Sequence, residues 1–292
     1  MRKWVAALLS GWILFAAGNA PAEKTPALNS SGLRIRVMTS NIRCLAVEDD
    51  WRDLWWFRKD DLARVIAGAA PDMIGMQEVY TLQAHDLEKL LPGYAWFGPA
   101  RDDGKHRGER NPIFYRKDRF ELLAQNSFWL SETPEVPGSK SWDSACKRIV
   151  TWGKFRDQKS GKIFFHFNTH FDHKGEKARE RSAEILVERL KKIAGDTPFF
   201  VTGDFNTDDR SAPYRTLTGL MLDSRAICST PAQGPEYSSW SFKPGVPPDE
   251  RIDYVFVSQT VSVSEYKVLD QTYHHGRRPS DHLPVMVSLQ IP

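Results

Sequence analysis

Polar residues of a few kinds recur where the apolar runs of this 292-residue chain start or stop: Asn41, Glu78, His170, Asp204 with Asn206, Asp253, and Asp281-His282. Carboxylates and carboxamides converging from strand ends make an oxygen-rich pocket, the preference of a hard cation such as Mg²⁺ or Mn²⁺. A histidine beside them moves protons near neutral pH. Together these groups suit metal-assisted hydrolysis, in which a cation polarises the bond to be broken while a protein base prepares water. Singly, each residue has a plainer use. Asn and Asp after a strand commonly bond their own turn, and a lone histidine is more often a satisfied core residue. The argument therefore rests on the set and its order.

The elements that must position these residues are legible as periodicity. Leu33, Ile35 and Val37 alternate with polar neighbours and predict an opening strand. Leu62, Val65, Ile66 and Ala69 follow at helical spacing before Pro71, and Met73 to Met76 is a short apolar strand running into Gln77-Glu78. A second helix is expected from Leu82 to Leu91, then strands over Tyr94–Phe97, Pro112–Tyr115 and Phe120–Leu130. Ile149–Phe155 and Ile163–Thr169 flank a polar turn ending in Ser160-Gly161 and predict a hairpin. Ala183, Leu186, Leu190 and Ile193 mark one face of a helix from about Gly175 to a closing Gly195. Pro198–Thr202, Ile252–Ser258, Val261–Leu269 and Pro284–Ile291 supply further strands. Many strands punctuated by few helices fit two packed sheets with helices outside. The stretch from Pro231 to Pro248, with five prolines and Trp240, reads as a surface loop, and neither an internal repeat nor a second core is evident.

Residues 1–22 have the form of an export signal. Arg2 and Lys3 precede an apolar stretch from Trp4 to Ala17, and Ala20-Pro21-Ala22 offers a cleavage site. The stretch is shorter than the roughly 20 residues that span a bilayer, so cleavage is expected over anchoring, with a secreted or periplasmic product. A polar connector, 23–32, leads to one domain over 33–292. The chain has 40 basic and 37 acidic residues; without Arg2 and Lys3 the balance is 38 to 37, so charge alone argues for neither nucleic acid nor a membrane surface. Cys44, Cys146 and Cys228 can form at most one bridge and show no zinc-ligand spacing, so they are expected to be small buried residues.

Thr39-Ser40-Asn41-Ile42-Arg43, Gln77-Glu78, Asn168-Thr169-His170, Gly203-Asp204-Phe205-Asn206, Arg251-Ile252-Asp253-Tyr254 and Ser280-Asp281-His282-Leu283-Pro284, in this order, resemble the endonuclease/exonuclease/phosphatase superfamily from Leu33 to Pro292. The resemblance implies a four-layered α/β/β/α sandwich of two mixed β-sheets and phosphoester hydrolysis. It implies that Glu78 ligates the metal with help from Asn41, and that Asp281 is a further ligand or metal-site carboxylate. Asp204 would orient or deprotonate the attacking water, Asn206 and His170 would hold a phosphoryl oxygen, and Asp253 would orient His282. Whether His282 or Asp204 is the base stays open. Glu109, in Gly108-Glu109-Arg110, lies where DNase I-like members carry a carboxylate paired with the first histidine, so it is assigned to His170.

The substrate is a phosphoester, whether small molecule, sugar, lipid or nucleic acid, and no stable protein partner is implied. Three basic clusters precede motif-bearing strands: Lys105, His106, Arg107 and Arg110; Lys140, Trp142, Lys147 and Arg148; His274, His275, Arg277 and Arg278. They are candidates to hold phosphate, with Trp142 and Trp240 stacking on a base or sugar, while Trp55 and Trp56 are expected to pack. No loop exposing several aromatics is expected. A near-neutral chain weakens the case for a duplex nuclease, which needs an extended basic stripe. The stretches RDDGKHRGERNPIFYRKDRFELL and FWLSETPEVPGSKSWD resemble an exported, bacterial-type branch, for which a phosphodiesterase or phosphatase is expected, with a nuclease as the alternative. A catalytically silent binding scaffold is the third reading, disfavoured because every constellation residue is retained.

Overall fold

The computed structural model describes residues 32–240, 242 and 250–292. The expected signal segment, the connector short of Gly32 and part of the Pro231–Pro248 loop lie outside the described residues.

In chain order the elements are β1 (Leu33–Asn41), α1 (Trp55–Ala69), β2 (Met73–Gln77), α2 (Thr81–Leu90), β3 (Tyr94–Phe97), β4 (Ile113–Arg116), β5 (Phe120–Trp129), β6 (Ile149–Asp157), β7 (Ile163–His170), α3 (Glu176–Ala194), β8 (Phe199–Asp204), α4 (Ala212–Thr218), β9 (Leu222–Asp223), β10 (Asp253–Val257), β11 (Ser262–Val268) and β12 (Val285–Ile291). One sheet has the order β11-β12-β1-β2-β4-β3 and the other β5-β6-β7-β8-β10-β9. Each is antiparallel except for one parallel pair near its centre, β1 with β2 and β7 with β8. Both sheets are therefore mixed.

Three apolar clusters account for the layers. Ile35, Val37, Phe155, Phe164, Phe200, Val255 and Val287 fill the space between the sheets. Met38, Ile74, Phe114 and Met286 on the outer face of the first sheet pack on Leu62, Ile66, Ala84 and Leu87 of α1 and α2. Phe167, Val201, Tyr254 and Phe256 on the outer face of the second pack on Ala183, Leu186, Leu190 and Leu217 of α3 and α4. Alternate residues of β1 thus feed two different cores, as the period of a strand requires. The result is the α/β/β/α sandwich. Helix α3 starts after Gly175 with Glu176 in its first turn and ends with Lys191 and Lys192 before Gly195, charges that complement the helix dipole.

The interior between the sheets is not wholly apolar. Asn168 of β7 donates to the carbonyls of Met76 and Pro112 at 2.7 and 2.9 Å, and its amide oxygen accepts from Gln77 Nε2 at 2.8 Å and Thr202 Oγ1 at 3.1 Å. Gln77 Nε2 also donates to Thr39 Oγ1, and His166 Nε2 lies 2.8 Å from Thr202 Oγ1. Gly75 makes room for this latch: a Cβ there would meet Thr202 Oγ1 at 1.9 Å and Asn168 Oδ1 at 2.5 Å.

Two expectations are corrected, and two elements are added. Trp55 is buried, but Trp51, Trp56 and Phe57 are 58, 53 and 55% exposed, so this segment does present several aromatics. The three cysteines are free and only half-buried. Helix α4 and the two-residue β9 had no expectation at all; Ser211 caps α4 by accepting from Tyr214 N, and Pro213 sits in its first turn.

Candidate active site

Parallel strands end at the same edge of a sheet, and here this places the polar residues together. In the first sheet Asn41 sits opposite Gln77, so Asn41 and Glu78 leave β1 and β2 side by side. In the second, Asp204 lies directly between His170 of β7 and Asp253 of β10. Thr39 pairs with Val285, so the Asp281-His282 segment before β12 returns to the same edge. Of the five non-glycine residues with positive φ among those described, Arg43, Glu78 and Asn206 line the resulting cavity. Backbone strain of this kind collects at functional sites.

The cavity, about 300 Å³, is lined by Arg43, Cys44, Glu78, Arg101, Glu109, Cys146, Arg148, His170, His173, Asp204, Asn206 and His282. Asn41 Nδ2 donates to Glu78 Oε1 at 3.0 Å and to Asp204 Oδ2 at 2.9 Å, while its amide oxygen accepts from Arg43 N. Asn41 thereby ties the carboxylates of the two sheets together. Glu78 Oε2 accepts from Cys44 N at 2.9 Å. His282 Nδ1 is 2.9 Å from Asp253 Oδ2, and its Nε2 is 3.8 Å from Asp204 Oδ2. Asn206 Nδ2 donates to the Phe171 carbonyl and lies 3.0 Å from His170 Nε2. Asp281 Oδ2 lies 3.7 Å from Arg43 Nε, and the buried Arg58 guanidinium donates to the carbonyls of Ile42, Arg43, Cys44 and Pro279, bracing the segments on either side.

The charges are unbalanced. Burial, then the neighbouring Asp253 charge, pushes the Asp204 carboxyl up to about 7. Burial and the Glu78 charge also raise Asp281. Burial opposes charge on His282, yet Asp253, Asp204 and Asp281 outweigh it and hold its pKa well above the ordinary imidazole value. Burial, with Arg148 and Arg101 adding to it, keeps His170 neutral. Burial and then Glu78 push the Cys44 thiol up to about 12, which removes it as a nucleophile near neutral pH. Four carboxyl groups thus face the His282 imidazolium and an Arg43 guanidinium already shared with Asp49, and Asp253 Oδ1 is buried without a partner. An excess of carboxylate oxygen fits a hard divalent cation. Asp204, Asp253 and His282 also have ligand atoms within 4.8 Å of one another, but the close His282 to Asp253 contact makes that trio a proton-handling pair beside a third acid rather than a cage.

Not all expected partners meet. Glu109 faces the cavity but pairs with Arg101 at 2.8 Å, and His170 Nδ1 is buried with no partner, so the expected Glu109 to His170 pair is not formed. Arg110 donates to the carbonyls of Gly98 and Lys105, Arg277 pairs with Asp53, Arg278 with Asp270 and His274 with Asp61; these basic groups brace loops instead of lining the cavity. Trp142 faces an open groove beside α3, and Trp240 packs on Tyr237 and Arg278. Sequence reasoning carried Arg43 only as part of a motif and missed Arg101 and His173 on the cavity wall. It also missed Asp172, which accepts from Ser144, Ala145, Cys146, Arg148, Lys174 and Gly175 and fixes the loops behind that wall.

Comparison with known proteins agrees with this fold. The family model described as Endonuclease/Exonuclease/phosphatase family matches residues 38–282. A solved endonuclease/exonuclease/phosphatase from Bacteroides vulgatus is 40% identical, with a TM-score of 0.85 over 89% of this chain and 100% of that one. The mannosyl-6-phosphatase Bt3783 of Bacteroides thetaiotaomicron is 38% identical, with a TM-score of 0.83 over 87% of this chain and 99% of that one. Protein L388 of Acanthamoeba polyphaga mimivirus is 34% identical over 247 residues, 80% of this chain and 91% of that protein. Other curated relatives, nocturnin of Drosophila melanogaster among them, are spanned over less than half their own length.

Proposed function

The chain belongs to the Endonuclease/Exonuclease/phosphatase family, whose members hydrolyse phosphoesters, and from that premise we propose that it is a divalent-metal-dependent hydrolase of small phosphoesters. The observation that carries this reading is the Asp253 to His282 contact at 2.9 Å, turned toward Asp204 beside an unbalanced set of buried carboxylates. The 38% identity to a mannosyl-6-phosphatase supports a phosphatase over a nuclease. So does the tying of Arg110, Arg277 and Arg278 to their own acceptors, which withdraws these three arginines from the basic stripe that a duplex requires.

Glu78 and Asp281, with Asn41, would hold Mg²⁺ or Mn²⁺. Such an ion, when bound, polarises a phosphoryl oxygen and the leaving group. Asp204, whose pKa lies near neutrality, takes the proton of the attacking water. His282, kept positive by Asp253, stabilises charge that builds on phosphorus oxygens, and the Asn206 Nδ2 proton that now meets His170 Nε2 would turn to one of those oxygens. Glu109 orients Arg101 at the cavity rim they share. Export through residues 1–22 belongs to the same proposal; among the described residues no helix is long and apolar enough to cross a membrane. N-terminal sequencing of the protein from the host's extracytoplasmic fraction should begin at Glu23, and an intact Met1 would refute export with cleavage.

The test is hydrolysis of p-nitrophenyl phosphate, bis-p-nitrophenyl phosphate, RNA and plasmid DNA with Mg²⁺ or with EDTA, using His282→Ala as control. EDTA-sensitive turnover of a small ester that His282→Ala lacks is expected. Nicking of plasmid without small-ester turnover would make the chain a nuclease, and turnover of none would overturn the reading.

A further inference from the structure

The cavity lining mixes the carboxylates of Glu78, Glu109 and Asp204 with the donors Arg101, Arg148 and His173. Arg148 is buried, and its guanidinium is held from behind: Nε donates to Asp172 Oδ2 at 3.3 Å, and Asp172 is itself wholly buried and fixed by five further donors. Nη2 lies 3.0 Å from His173 Nδ1. A guanidinium can only donate, so Nδ1 must accept, which places the ring proton on Nε2. His173 is exposed on the cavity wall, so this N–H is available to a bound molecule. The remaining nitrogen, Arg148 Nη1, is buried and has no partner. Two donors on cavity-lining residues thus lack an acceptor within the protein.

Resting on the reading of the cavity as a phosphoester site, the oxygen count decides what that acceptor is. A phosphomonoester carries three non-bridging oxygens and a diester two. A cation held by the carboxylates would account for one, and Asn206 Nδ2, turned from His170 Nε2, for a second. We propose that His173 Nε2–H and Arg148 Nη1–H bind the third, making the Arg148 to His173 pair the determinant that selects phosphomonoester dianions over diesters. In a diester this oxygen bears a carbon substituent and less charge, and both donors stay unpaired against it. Such a loss is what gives a site built for hydrogen bonding its discrimination. Burial, and then the Arg148 charge, lower the pKa of His173 and keep its ring neutral, so the donor pattern holds near neutral pH.

The test uses the full chain, with His173→Ala and His173→Gln, both at an exposed position. Calorimetric titration with inorganic phosphate and with dimethyl phosphate, in EDTA and in Mg²⁺, reads binding without turnover. His173→Ala should lose about tenfold in phosphate affinity, the worth of one hydrogen bond to a charged group. Dimethyl phosphate should lose much less, and His173→Gln, which keeps an N–H donor, should recover part of the phosphate loss. In kinetics the kcat/KM ratio of p-nitrophenyl phosphate to methyl p-nitrophenyl phosphate should fall by the same factor. Equal loss for both ligands, or unchanged phosphate affinity in His173→Ala, would overturn the assignment. A wild-type protein that hydrolyses neither ester would refute the proposed function, while the phosphate titration would still decide the role of His173.

Discussion

Replacing Asp172 by alanine should cost the protein more stability than any exposed substitution. The carboxylate is fully buried and accepts from Ser144 Oγ, Arg148 Nε and the backbone N–H groups of Ala145, Cys146, Lys174 and Gly175, at 2.8 to 3.3 Å. Its loss leaves the Arg148 guanidinium, whose side chain is 3% exposed, without a counter-charge, at about 3–5 kcal/mol. The buried Gly175 N–H adds about 1–3 kcal/mol as an orphaned donor, and the remaining donors find water. Such terms are not additive, so about 4–6 kcal/mol is expected, a large part of the roughly 5–15 kcal/mol typical of a whole domain. At about 2–4 °C per kcal/mol for a domain of this size, the melting midpoint should fall by about 8–24 °C. Burial alone would raise the Asp172 pKa, but the Gly175, Cys146, Ala145 and Lys174 amides outweigh it and hold the carboxyl well below the usual range. A depressed folded pKa means that the contribution is whole above about pH 4, the unfolded value, and fades as pH falls through the folded one. Urea unfolding from pH 7 to pH 3 should therefore show a constant gap between wild type and Asp172→Ala down to about pH 4 and a narrowing gap below it. Adding Arg148→Met should recover part of the loss. A single-mutant cost under about 1 kcal/mol, or no recovery in the double mutant, would refute the reasoning.

Asp253→Asn removes a charge that holds the His282 pKa up, so the alkaline limb of the kcat/KM profile should move to lower pH; an unmoved limb would detach Asp253 from His282. Glu78→Gln should raise the Mg²⁺ concentration needed for half-maximal turnover by at least about tenfold, as loss of one carboxylate ligand implies, and a titration that matches wild type would remove Glu78 from the metal site. Gly75→Ala should destabilise by about 1–3 kcal/mol or more, because the new methyl group meets Thr202 and Asn168, and a melting curve like that of wild type would show that the latch has slack.

The fold was legible where one period ran long enough to name a face. β1 alternates and α3 repeats on a helical stripe, so both were placed within a residue or two. Helix α4 has seven residues, too few to show a stripe, although the Ser211-Ala212-Pro213 start carried a capping signal. Asn41, Glu78, His170, Asp204, Asp253 and His282 were legible because each adjoins a strand end, and strand register then forces them together. Partners fixed by loops were not. Glu109 turns to Arg101 because the 100–110 segment folds back on itself, with Ala100 bridged to Arg110. The basic clusters misled for the same reason: the acids that bind Arg277 and His274 lie more than 200 positions away.

The latch of Asn168, Gln77, Thr39 and Thr202 has a consequence for how such a protein can change. Apolar faces tolerate sliding, since one methyl contact replaces another at little cost, whereas directional bonds do not. Shifting one sheet against the other would orphan the Asn168 amide from both Met76 and Pro112 at once. The site draws Asn41 and Glu78 from one sheet and His170, Asp204 and Asp253 from the other, so this buried registration pin sets their alignment before any loop is considered. Rim segments such as 101–109 and 131–147 are then free to drift, lengthen and acquire new preferences while the reacting groups stay in gauge. A scaffold pinned at its middle can diversify at its edge.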